Sequence, residues 1–468
     1  MTSKDTNTPT GQAAEKPFGW RFTLPLLLGS TLNPINSSMI ATGLVSIAAD
    51  FHTGPGATAT LVSVLYLCSA VMQPTMGKLS TLFGPRRIFL VGVFLLLVGG
   101  AIGAIAPSFG VLLISRALIG IGTSAGYPTA MALVRRRADR FDIGVPSRVL
   151  GNFSIAAQIT VVVGLPIGGV LAGAFGWRAL FLVNVPLALI TLGFAFFGVT
   201  RDDPIPRRGL RGVIAAIDFP GIALFAASIV SLLVFLSSLT APIWWLLPVV
   251  VVLLAGLILW ERRAAQPLID VRMLAKNAPL QRTYVRQMLV GLGTYTCLYG
   301  ASQWLEESAH YSPFTVGLIL LPLSGLSIVI ARIASSRGWI RWPLVIGAVA
   351  LILSGVVMLF VDSSSSVLIL IGMTLLFGLT NGLSGFANQA ALYIQAPGAT
   401  IAVASGLYRT FSYIGAIFSS TLIGIAFGAA VTDAGFHRLA WVVLGIGAAS
   451  LVLTAIDRRL PVTAARAA

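Results

Sequence analysis

Four charged side chains sit in or against long apolar runs of this chain. Arg116 and Arg409 lie within such runs, and Glu306 and Glu307 close another. A guanidinium stays protonated at physiological pH. Within an apolar run it can bond facing carbonyls, pair with an anionic group, or bias a nearby proton site. A carboxyl group taken out of water holds its proton more tightly, which brings proton exchange within reach of ordinary pH. On a helix the adjacent Glu306 and Glu307 point about 100° apart, so only one of them faces inward. A solvated rim fits the pair equally. Asn33, Asn36, Asn152, Gln158, Gln303, Trp304, Asn381, Asn388 and Tyr408 add polar or aromatic groups within apolar runs. With Arg116 and Arg409 they are candidates to line a mostly apolar pocket, which suits an amphiphilic organic compound better than a sugar. Each of them also fits a role bonding one helix to the next.

Enzyme chemistry is excluded by context. "GTSAG" at 122–126 and "GIGTSA" at 120–125 mimic a serine-nucleophile elbow and a dinucleotide fingerprint, but both lie inside an apolar run with no preceding strand. "GKLS" at 77–80 lacks the upstream glycine of a nucleotide loop, so no ATP site is expected. Three scattered histidines make no metal cluster.

The elements that must position these residues are membrane-spanning helices. The chain of 468 residues is 56% hydrophobic and 10% charged, against about 25% charged in a soluble protein. Fourteen apolar spans are read near 23–48, 57–77, 88–107, 109–134, 148–173, 179–199, 219–240, 243–260, 284–305, 314–334, 343–361, 366–390, 400–427 and 436–456, many reaching the roughly 20 residues a crossing needs. The net charge of +16 could suggest a nucleic-acid binder, but the cations occupy alternate short loops: Lys78 to Arg87, Arg135 to Arg140, Arg201 to Arg211, Arg262 to Lys276, and Arg337 with Arg341. The opposite loops hold Asp50, Glu306, Glu307, Asp362 and Asp433, with only Arg178 and Arg438 as cations. Cations stay on the cytoplasmic side during insertion, so both termini are expected there. Cys68 and Cys297 fall inside spans and are expected to be inert buried thiols. No removable leader is expected.

The first loop carries a pattern. "GKLSTLFGPRR", Gly77 to Arg87, brackets a basic turn with two glycines. It resembles the signature loop of the major facilitator superfamily, with Gly77, Gly84, Arg86 and Arg87 in register and Thr81 where that family has an aspartate. "LLISRALIGIGTSAG" resembles the family's span-4 motif through Arg116, Gly120 and Gly122. "VGLPIGG" resembles the antiporter motif through Gly164, Pro166, Gly168 and Gly169, with the proline one place late. "FGWRALFLVNVPLAL", "IDFPG", "WERRAAQPLIDVRML" and "ASGLYRTFSYIG" resemble the fourteen-span drug:proton antiporter family.

The resemblance implies an all-α integral membrane protein of major facilitator fold. Its expected plan is a tail at 1–22, a six-helix bundle at 23–199, loops with two additional central helices at 200–283, a second six-helix bundle at 284–456 and a tail at 457–468. It implies export of lipophilic or amphiphilic small molecules by alternating access across a plasma (inner) membrane. The protein is expected to act as a monomer among membrane lipids, with proton entry as the energy source, no cofactor and no nucleic-acid partner. The family's aspartates are missing: Thr81 weakens the loop's latch or leaves it to be made differently, and Asn36 stands in the first span where an acid is usual. An amide carries no proton, and 23–199 holds no other deep acid. Glu306 and Glu307 are therefore the expected coupling pair, with Asp218 a poor third. A facilitator or lipid-like exporter without tight proton coupling, and a non-transporting sensor or assembly subunit, are the alternatives.

Overall fold

A computed structural model describes residues 17–53, 55–204, 216–239, 241–428 and 430–463. Arg207, Arg208 and Arg211, and most of the N-terminal tail, lie outside the described residues. The described part is predominantly helical, with one isolated β-bridge between Trp339 and Thr463. In chain order the helices are α1 Trp20–Ile40, α2 Leu44–Asp50, α3 Pro55–Phe83, α4 Pro85–Ala104, α5 Phe109–Thr123, α6 Gly126–Arg140, α7 Ser147–Phe175, α8 Ala179–Leu182, α9 Asn184–Gly198, α10 Phe219–Ser237, α11 Leu246–Glu261, α12 Val271–Lys276, α13 Ala278–Glu307, α14 Pro313–Arg337, α15 Arg341–Phe360, α16 Val367–Gln395, α17 Ile401–Phe427 and α18 Asp433–Ile456.

Ten helical segments among the described residues are long and apolar enough to cross a membrane. Large apolar side chains stand on their outer surface, among them Phe94, Phe197, Phe360, Leu368 and Trp441. Such a surface is stable against lipid and not against water.

Several expected spans differ in detail. The span expected at 109–134 is two helices, broken at Ser124 and Ala125, where the Ser124 hydroxyl bonds back to Gly120 O at 2.5 Å and competes with the helix ladder. The first expected span is interrupted by a 3-10 turn at Ala41–Gly43, while α1 runs through Pro34. The span expected at 284–305 begins at Ala278, because Asn277 caps it and accepts from Leu280 N. The loop boundary at 283 therefore moves back into a helix. The C-terminal tail is not free: Ile340 N donates to Val462 O at 3.0 Å, and Asp457 is fully buried.

One group of packed helices runs from α1 to α9 and a second from α13 to α18. They meet where α3 packs on α17 and α7 on α14. The α10–α11 hairpin lies along this seam, touching both α3 and α17, and Thr421 in α17 donates to Leu236 O at 2.7 Å. Residues 266–277 then cross the face that carries the basic loops. Lys78 Nζ donates to Gln266 O and Pro267 O, and Asn277 Nδ2 donates to Gln395 O. The two expected stretches "IDFPG" and "WERRAAQPLID" meet here. Asp218, at φ 60°, caps α10 by accepting from Gly221 N, and it also accepts from Trp260 Nε1 at 2.7 Å and Leu268 N at 2.9 Å.

Candidate functional site

The seam is tightest at the basic face, where glycines let helix backbones touch. A Cβ placed on Gly77 would lie 2.6 Å from Ala402 O, and one on Gly406 would lie 2.5 Å from Pro74 Cα. Further along, Tyr393 donates to Met131 O and Thr410 to Ala70 O, each from the second group of helices to the first. At mid-depth Tyr413 donates to Asn33 Oδ1 at 2.8 Å and accepts from Gln73 Nε2, and Gln158 and Asn381 exchange amide hydrogen bonds. Between the groups lies a cavity of about 140 Å³.

Thr81 makes no latch: its hydroxyl bonds back to Lys78 O at 2.7 Å. The carboxylate of this loop comes from Asp202, just past α9. It accepts from Arg86 N and Arg87 N at the start of α4, and it pairs with Arg136 at 3.1 Å. Arg136 also pairs with Asp203. A carboxylate on the first N–H groups of a helix is favoured by the helix dipole. Gly84 is required: its φ of 96° is left-handed, and a Cβ would strike the Asp202 carboxylate. Arg86 reaches back to Phe196 O and Arg87 to Phe83 O.

Of the residues expected to line a pocket, Gln158, Asn381, Tyr408 and Arg409 line the cavity. The others lie elsewhere. Arg116 is 1% exposed, with Nε on Leu61 O at 3.0 Å and Nη1 on Asn36 O at 3.4 Å. It ties α5 to α3 and α1, as a guanidinium bonding carbonyls. Asn33 also donates to Ser69 and Thr123, and Asn36 is buried with its amide on Leu32 O and Asn184 Oδ1. Asn388 is buried against Arg286, and Asn152 is half-buried away from the cavity lining. Trp304 stacks on Phe436 at 4.3 Å and donates to Asp433, while Gln303, Glu306 and Glu307 are exposed at the far end of α13. Gly120 and Gly122 press against α3 and α4, and Gly164 and Gly168 against α1; Pro166 is exposed and Gly169 faces open space. Cys68 is half-buried rather than buried.

Two carboxyl features were not singled out in the sequence. Glu261, the last residue of α11, is 2% exposed and faces Asp218 across Gly221; its Oε1 accepts from Ile269 N, and its Oε2 has no partner among the described residues. Arg286, two residues into an expected span, pairs with Asp457 at 3.0 Å and also holds Asn388 and Thr283. The signal for this pair was a cation early in one span and an acid just after another, 171 residues apart.

Arg116→Lys keeps the charge, but one ammonium does not reproduce a guanidinium fork shared between two helices. It is expected to cost about 1–3 kcal/mol, read as a lower Tm of purified protein. An unchanged Tm would remove Arg116 from the packing.

Residues 26–420 match the Major Facilitator Superfamily, and the chain belongs to that family. It is a multi-pass membrane protein of a transporter family, not an enzyme. It is 34% identical over 431 residues to the uncharacterized MFS-type transporter YwoD of Bacillus subtilis (strain 168), covering 91% of this chain and 94% of that one. It is 27% identical to the tetracenomycin C resistance and export protein of Streptomyces glaucescens, covering 92% and 81%. Other relatives are likewise named for multidrug and antibiotic resistance. The fold is similar to that of the human organic anion transporter MFSD10 (TETRAN), with TM-score 0.66 and 15% identity over 93% of this chain and 99% of that one.

Proposed function

We propose that the protein exports amphiphilic small molecules, drugs or metabolites, by alternating access. The observation that carries this reading is the seam. Two helix groups meet through glycine-backed contacts at the basic face, with a cavity between them at mid-depth, which is what a transporter closed on one side requires. The ten long apolar segments, together with α1, α7, α11 and α13, make the fourteen crossings inferred here. The basic face is the cytoplasmic one by loop charge. Both termini are then cytoplasmic in a plasma (inner) membrane, and the protein acts as a monomer. Relatives named for resistance and export support the outward direction. Val290, Leu298 and Leu323 in the cavity lining support a substrate with an apolar body. The proton gradient, not ATP, supplies the energy.

Coupling needs an acid whose surroundings change between states. Glu306 and Glu307 remain candidates, but both are exposed here. Glu261 is buried, faces the Asp218 carboxyl group across Gly221 and sits where residues 266–277 cross the seam. In proteoliposomes with an imposed pH difference, Glu261→Gln is expected to abolish concentrative flux of fluorescent amphiphiles while leaving downhill flux. The Glu306→Gln/Glu307→Gln double variant is expected to retain coupling. The reverse pattern would return the coupling site to α13. Absence of pH-driven accumulation by the unmodified protein would favour the second reading, a facilitator without proton coupling, for which Thr81, Asn36 and the acid-free cavity lining speak. Absence of any flux would end the transporter reading.

A further inference from the structure

The cavity between the helix groups has an unbalanced charge. Its lining contains Arg409 and, among the described residues, no aspartate or glutamate. Arg409 leaves α17 and crosses the gap between the helix groups. Its guanidinium carbon lies 4.1 Å from the centroid of the Tyr127 ring on α6, and Tyr127 in turn stacks on Tyr408. The ring face offsets part of the cost of holding a cation there, but it offers no hydrogen-bond acceptor. Arg409 Nε is buried and, among the described residues, without a hydrogen-bond partner. Gln389, 3% exposed and lining the same cavity, likewise has a buried amide nitrogen without one among the described residues. Two unmatched donors, one of them charged, therefore share one small space.

We propose that the exported compound carries an anionic group, a carboxylate, sulfonate or phosphate, which docks on Arg409 and Gln389 with its apolar body along Val290, Leu298 and Leu323. This inference rests on the export reading above and gives its substrate class. The argument is electrostatic. In a cavity screened by protein, charges interact more strongly than in water. A cationic compound would stand beside an uncompensated guanidinium and find no carboxylate. A neutral compound would leave both donors partly unmet, and unmet buried donors cost free energy. An anion meets both at once, with charge on both partners at Arg409 and on the acceptor alone at Gln389. Arg116 does not compete for it, because that guanidinium lies outside the cavity lining, 1% exposed, with Nε and Nη1 on carbonyls of α3 and α1. Glu306 and Glu307 do not neutralise the site, because they stand exposed at the end of α13 and outside the lining. The cavity volume of about 140 Å³ admits the charged head of such a compound in this closed conformation, and opening of the seam admits the rest.

Three probes with one fluorophore separate the cases: dansylglycine, an anion; dansylamide, neutral; and dansylcadaverine, a cation. Purified full-length protein is titrated with each, and the saturable fluorescence change gives Kd. Dansylglycine is expected to bind at least about tenfold more tightly than dansylcadaverine, the effect of one charge-assisted contact. Arg409→Gln is expected to erase that preference, and Arg409→Lys to keep part of it. Gel filtration of each variant reports folding, and the preference of the unmodified protein needs no variant at all. Equal or tighter binding of the cation, no saturable binding of dansylglycine, or an unchanged preference in folded Arg409→Gln overturns the proposal. Flux of the same probes in proteoliposomes is read separately. Anion preference in binding with no flux of any probe would leave the anion site standing and defeat the export reading; flux with cation preference would do the opposite.

Discussion

Asp457→Ala is expected to be among the most destabilising single substitutions in the protein. Asp457 is 0% exposed and accepts from both Arg282 and Arg286, and the Arg286 side chain is only 2% exposed. Removing the carboxylate leaves a guanidinium buried beside Asn388 and Thr283, neither of which carries charge. Breaking a buried pair from one side costs about 3–5 kcal/mol, because the remaining ion has lost both water and partner. Thermal unfolding in detergent should show a drop of several degrees in Tm. The double variant Arg286→Met/Asp457→Leu removes both charges and should recover most of the loss, since replacing a buried pair with apolar groups of similar volume is often neutral. A single variant as stable as the parent would mean that Arg286 reaches water. Because Asp457 follows the last long helix and Arg286 lies early in α13, the pair also anchors the C-terminal residues beneath α15, where Ile340 N meets Val462 O.

Gly406→Ala is expected to act on function rather than folding. Its Cβ would fall 2.5 Å from Pro74 Cα and nitrogen, which are backbone atoms of α3 with no rotamer to move. The helices can separate, and separation opens the basic face. Overpacking of this kind costs about 1–3 kcal/mol, which shifts a two-state equilibrium about 5–150-fold away from the closed form. Flux in proteoliposomes should fall accordingly, with Tm little changed. A cysteine at Ser80, 1% exposed beside Ile401 and Ala402, reports the opening directly. In a Cys68→Ser/Cys297→Ser background, Ser80→Cys should react faster with an impermeant thiol reagent when Gly406 is alanine. Equal reactivity and full flux would show that the seam accommodates the methyl group.

The sequence by itself determined most of the long apolar helices, because hydropathy sums over some 20 consecutive residues and needs no tertiary partner. It fixed the basic face through loop charge, and it placed glycines at Gly77 and Gly84, where a close approach and a left-handed turn follow. Caps such as Asn277 and Ser312 lie within three residues of the groups they serve. The tertiary structure alone decided what each polar group meets. Arg116 and Arg409 look alike in sequence, each a single arginine in an apolar run. Yet one turns into carbonyls of α1 and α3 while the other lines a cavity. The missing aspartate of the signature loop is answered by Asp202, more than a hundred residues onward. Glu261 gained its buried carboxyl neighbour Asp218 only through the α10–α11 hairpin, and Glu306 and Glu307 were left exposed by the end of α13. The physical reason is the helix itself. A residue every 100° around its axis gives a sequence many possible faces, and which face meets which neighbour depends on packing between segments that the chain holds far apart.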